Sequence, residues 1–134
     1  MNTRISLAAL LLSATAAYAA PESPEIGTTV KRLSFTDIHY LPRTLDELGE
    51  AKAVVLFYAT VECPLVRRYM PRVVKLETAY RDKGVKFVAV NVGNGDSIVD
   101  MATQAIEQDA PFPFLKDFSH KTAKRLGIDR SATV

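Results

Sequence analysis

The chain has 134 residues, 48% of them hydrophobic and 24% charged, with a formal net charge of +2 at pH 7. That balance fits one globular domain with an ordinary core and excludes a disordered or fibrous chain. So small a net charge also excludes a polyanion such as nucleic acid as the expected partner.

In chain order, residues 1–4 carry one positive charge, residues 5–16 are an apolar run, and Ala17-Tyr18-Ala19 is a small-x-small site. This is the pattern of a secretory signal peptide, cleaved after Ala19, and it predicts a periplasmic or secreted mature chain. The run is shorter than the roughly 20 residues of a spanning helix, so no membrane span is expected in the mature chain. Losing Arg4 lowers the net charge from +2 to +1. Residues 20–134 are then expected to form one domain.

After a short leader (residues 21–24), the stretch VKRLSFTDIHYLPRTLDELG predicts a β-hairpin closed near Pro42-Arg43 and a helical turn capped by Thr44. AVVLFYA (residues 53–59) is apolar and partly β-branched, the pattern of a strand buried on both faces. Between Cys63 and Arg81, the residues Val66, Met70, Val73, Val74, Leu76, Ala79 and Tyr80 recur at helical spacing, and Lys83-Gly84 ends the run. Pro71 lies inside this helix and is expected to kink it. VKFVAVNVG (residues 85–93) predicts a second buried strand, with Gly93-Asn94-Gly95 as the turn that follows. GDSIVDMATQAIEQ opens a second helix with Asp96 or Ser97 as cap and Asp100 in its first turn. Strand, helix, strand, helix implies a parallel sheet with a right-handed crossover. PFPFLKD is short and proline-punctuated, and residues 119–128 predict a small helix capped by Ser119, with Gly127 near its end.

VVLFYAT, Cys63-Pro64 at a strand-to-helix turn, Pro71 eight positions on, VKFVAVNV and the later PFPFLKD and AKRLGI together resemble the redoxin branch of the thioredoxin-like superfamily, allied to alkyl hydroperoxide reductase and thiol-specific antioxidant proteins. The resemblance runs from about Ile26 to the last residue. It implies an α/β thioredoxin-like fold, a central mixed sheet flanked by helices. It further implies two antiparallel strands and a helix beyond Ile128, and a cis-proline where this chain has Ala132, so the chain is expected to be a fragment of a longer protein.

Cys63, the one cysteine in the sequence, is the candidate reactive group. A thiol in the first turn of a helix faces unpaired backbone N–H groups and the positive end of the helix dipole, which favour thiolate. Arg67, four residues on, is expected to lean back over it and help stabilise the anion, whereas Arg68 and Lys75 are read as a solvated helix face. Val66 stands where a Cys-x-x-Cys motif has its second cysteine, which excludes dithiol exchange within these residues. Arg67 stands where a Cys-x-x-x-Cys copper site needs a ligand. His39 and His120 pair with nothing near Cys63 and are read as surface residues. No cofactor motif or metal-ligand cluster appears.

One-cysteine peroxide reduction, with a peroxide as substrate and an external thiol as reductant, remains compatible. The resemblance adds site residues. Thr60 is in register with the threonine of the peroxiredoxin Pro-x-x-x-Thr-x-x-Cys motif, with Leu56 in place of its proline, and would hydrogen-bond the thiolate. Arg130 is the arginine carried over to hold negative charge near the sulfur. The alternative expectation is a catalytically silent thioredoxin-like module that serves as a binding or scaffold domain.

Overall fold

The computed structural model describes residues 24–30 and 32–134; the signal-peptide reading over residues 1–19 lies outside them. Strand β1 (Ser34–Asp37) and strand β2 (Pro42–Thr44) form a hairpin. It closes across residues 38–41, not at Pro42-Arg43. The Asp37 carboxylate accepts hydrogen bonds from the His39 and Leu41 amides, both across that turn, and Tyr40 takes φ 61°. An aspartate bonding the backbone two residues on is a local turn former that competes well with proline as the turn signal. Thr44 then opens a 3-10 turn, Leu45–Leu48, where the Glu47 carboxylate accepts from both the backbone and the hydroxyl of Thr44.

Strand β3 (Ala53–Ala59), helix α1 (Pro64–Tyr80), strand β4 (Val85–Asn91), helix α2 (Ile98–Glu107) and strand β5 (Phe114–Lys116) follow, with a short helix α3 (Lys121–Arg125) last. The strand order is β2-β1-β5-β4-β3. β3, β4 and β5 are parallel, and β1 is antiparallel to both β5 and β2. The sheet is thus mixed and flanked by helices, as expected.

Alternation along the strands sorts the core into two layers. Phe57, Ala59, Phe87, Ala89 and Phe114 pack under Val66, Met70 and Val73 of α1 and Ile98 and Met101 of α2. Tyr58, Val88, Val90 and Leu115 face the other way, toward Ala123 of α3 and toward Leu33 and Phe35. Helix α1 runs on through Pro71 as one α-helix. The buried stripe of α1 is Val66, Met70, Val73 and Glu77. Leu76, Ala79 and Tyr80, which belong to the same apolar pattern at helical spacing, are exposed. Glu77 is tolerated there because Arg81 meets its carboxylate at 2.7 and 2.6 Å.

Helix α3 is shorter than its sequence pattern, and Ser119 does not cap it. The buried Asp117 carboxylate does so, accepting from the amides of Lys121, Thr122 and Ala123 at 3.1, 2.9 and 3.0 Å and from the Thr122 hydroxyl. Past α3 the chain returns to the end of β3. The Tyr58 amide donates to Thr133 O at 2.8 Å and the Ala132 amide to Tyr58 O at 2.7 Å, an antiparallel bridge. Among the described residues, no helix is long and apolar enough to cross a membrane.

Candidate functional site

The end of β3 delivers the chain into the turn of residues 60–62, and Cys63 follows as the N-cap of α1, with φ −73° and ψ 116°. Cys63 therefore stands one position before the first helical turn. Pro64 occupies N1, where a missing N–H costs nothing, so the next two amides, Leu65 and Val66, are the helix's first free donors. At the N-cap Cys63 stands beside these groups, but its side chain makes no capping hydrogen bond to them. Cys63 is partly buried and packs against the core layer under α1.

These surroundings hold the Cys63 pKa below that of an ordinary thiol. The largest contribution is the Ser131 hydroxyl, followed by the Val66 amide; the Leu65 amide and the Thr60 hydroxyl add to them, while burial pulls the other way. Each donor strengthens when the sulfur carries charge, which is why they favour the thiolate. The structure thus brings Cys63 and Thr60 together, and adds Ser131. No local pattern marked Ser131: it reaches the sulfur only because residues 131–133 come back to pair beside β3.

The two arginines are placed differently from their expected roles. The Arg67 guanidinium turns to Glu62 at 3.9 Å, both side chains being exposed. It is not among the groups that lower the Cys63 pKa. Arg130, with a side chain 78% exposed, pairs with its neighbour Asp129 at 2.9 and 3.1 Å. With Thr60, Ser131, His120 and Lys124 it lines a cavity of about 250 Å³. His120, half-buried, lines the same cavity and takes φ 54° at the start of α3. His39 is exposed, as read. Among the described residues, no group of three or more His, Cys, Asp or Glu side chains is arranged to hold a metal ion.

A ranking of substitutions follows. Ser131→Ala is expected to raise the pH midpoint of Cys63 alkylation toward the free-thiol value of about 8.5. Thr60→Val should raise it less, since Thr60 is the weakest of the four donors, and Arg67→Ala should leave it unchanged. Iodoacetamide rates measured against pH on the full chain check the order, and a larger effect from Arg67→Ala than from Ser131→Ala would reverse it.

The Redoxin family model matches residues 27–134. Among solved structures, the chain is similar to a hypothetical protein from Sinorhizobium meliloti, at 23% identity over 79% of this chain and 61% of that one, with a TM-score of 0.71. It is similar to Peroxidoxin BcpB from Mycobacterium tuberculosis, at 23% identity over 78% of this chain and 67% of that one, with a TM-score of 0.65. It is also similar to a secreted M. tuberculosis disulfide oxidoreductase homologous to E. coli DsbE, at 20% identity over 69% and 66% of the two chains, with a TM-score of 0.58. At such identities the likeness shows the thioredoxin-like fold. The chain spans 61% of the length of the Sinorhizobium protein. No curated protein matches.

Proposed function

The chain belongs to the Redoxin family, and from that membership and the surroundings of Cys63 we propose that it is an exported, thiol-dependent peroxidase acting through one cysteine. The observation that carries the proposal is the place of Cys63 at the N-cap of α1, in surroundings that hold its pKa below that of an ordinary thiol, the Ser131 hydroxyl first among them. A low thiol pKa raises the fraction of the nucleophile present at neutral pH.

In the proposed reaction the thiolate attacks one oxygen of a hydroperoxide. An S–O bond forms, the O–O bond breaks, and the leaving alkoxide or hydroxide takes up a proton. Cys63 becomes a sulfenic acid. An external thiol then attacks that sulfur, releasing water and forming a mixed disulfide, and a second thiol molecule frees Cys63 and leaves as the oxidised disulfide. Two thiols and one peroxide thereby give a disulfide, an alcohol or water, and one further water. The reductant comes from outside these residues because Val66 occupies the position of a second cysteine. Thr60 is assigned to the peroxide as well as the sulfur; Arg130, paired with Asp129 and exposed, would have to leave that partner to meet the developing negative charge. Residues 20–134 act as one redoxin domain in this reading, and export rests on the sequence of residues 1–19.

The test is trapping. Treated with stoichiometric hydrogen peroxide, the full chain should yield one dimedone adduct, at Cys63, and a low-molecular-weight thiol added before the probe should prevent it. A Cys63 that titrates like free cysteine and gives no adduct would overturn the proposal and leave a binding or scaffold module.

A further inference from the structure

The turn of residues 60–62 is fastened from behind. The Ala59 carbonyl accepts from the Val92 amide at 3.0 Å, and the Thr60 carbonyl from the Gln104 side chain at 3.4 Å. The Val61 amide donates to Asp96 Oδ2 at 2.8 Å. Asp96, 35 residues away in sequence, thus holds the residue that joins Thr60 to Cys63 through Glu62.

Asp96 is itself held by a buried polar cluster. Its Oδ2 also accepts from Asn91 Nδ2 at 2.7 Å. Lys116, 3% exposed, sets its ammonium among Asn91 Oδ1 at 2.6 Å, Gly93 O at 2.5 Å and Asp96 O at 2.9 Å. Asn91, 1% exposed, closes the ring by accepting from the Gly93 amide at 3.0 Å. A buried ammonium with three oxygen acceptors ties β5 to the loop between β4 and α2. Gly93 fits because it has no side chain: a Cβ there would lie 2.1 Å from Asp96 Oδ2. The glycine in this turn answers to the space needed by Asp96.

We infer that Asp96 is a positioning residue for the reactive thiol: held by Asn91 and Lys116, it fixes the Val61 amide and so keeps the Thr60 hydroxyl and the N-cap sulfur of Cys63 in register. Asp96 touches no reacting atom in this assignment and acts only through the turn. The inference rests on the reading of Cys63 as a reactive thiol and does not require that its oxidant be a peroxide.

The experiment uses the full chain, with iodoacetamide alkylation of Cys63 against pH and amide hydrogen exchange at Val61. Asp96→Ala should raise the alkylation midpoint, slow alkylation at neutral pH by about tenfold, and speed exchange at Val61. Asp96→Asn keeps a carbonyl oxygen for the Val61 amide and should behave like the parent. Gly93→Ala retains Asp96 but displaces its carboxylate, and should reproduce the Asp96→Ala result; it carries the test if Asp96→Ala does not fold. A folded Asp96→Ala or Gly93→Ala chain with the parent midpoint and rate would overturn the inference, as would an Asp96→Asn chain no better than Asp96→Ala. If alkylation depends on Asp96 while peroxide leaves Cys63 unoxidised, the positioning role stands and the peroxidase proposal falls.

Discussion

Cys63→Ser is expected to abolish peroxide-dependent adduct formation completely, with no residual signal above the chemical background. The reason is chemical before it is structural: the chain holds one thiol, and a serine hydroxyl remains protonated at any pH at which the protein folds. The same substitution carries a second, pH-dependent signature. Because the folded state lowers the Cys63 pKa, the fold binds the thiolate form preferentially, and this contributes stability once the unfolded thiol would also be ionised. That contribution is complete above the unfolded value of about 8.5 and is lost as pH falls through the lower folded value. The stability difference between the parent and Cys63→Ser, measured by urea unfolding, should therefore grow in favour of the parent as pH rises through that window. A difference that stays flat with pH would show that the Ser131 and Thr60 hydroxyls do not favour the anion, and retained adduct formation would place the chemistry elsewhere.

The largest loss of stability is expected from Asp117→Ala. Asp117 is 3% exposed, and its carboxylate accepts from three amides and one hydroxyl of residues 121–123. Its own amide donates to Asn91 O at 3.0 Å, and its carbonyl accepts from the His120 amide at 3.1 Å. Truncation leaves donors of a five-residue helix without acceptors. A helix so short has little stability of its own. At about 1–3 kcal/mol for each buried donor left unpaired, the expected cost is at least about 3 kcal/mol, read as a fall in the urea midpoint with little change in slope. Asp117→Asn retains one good acceptor oxygen and should lose about half as much. The loss should also reach the site, because α3 carries His120 at its start and leads into Ser131. A midpoint within experimental error of the parent would mean that the helix is held by its apolar contacts alone.

These expectations draw on the sequence unequally. The parallel pair was legible because residues 53–59 and 85–91 are short apolar runs of strand length, although β3 lies at the sheet edge and only its last three residues are buried. The cap of α2 was legible too, since Ser97 and Asp100 exchange hydrogen bonds within four residues of one another. Signals of this kind are local and need no knowledge of the rest of the chain. The cap of α3 was misread for a related reason. Ser119 lay at the expected spacing, while Asp117 stood further upstream, and only the left-handed turn at His120 folds its carboxylate back under the helix.

By itself, then, the sequence determined that Cys63 follows a buried strand and begins a helix, and that no second cysteine stands beside it. Which groups surround the sulfur was decided by tertiary structure. Arg67 was the natural neighbour by helical spacing, yet it is drawn to Glu62, whose opposite charge lies within reach on the exposed side. Ser131 comes to the sulfur because the next two residues, Ala132 and Thr133, pair with Tyr58 of β3. Asp96 reaches Val61 because β4 runs parallel to β3 in a register that sets Asn91 opposite Ala59. Hydrogen bonds between residues so far apart in sequence have no periodicity to betray them; they exist only once the sheet has brought two loops to the same end.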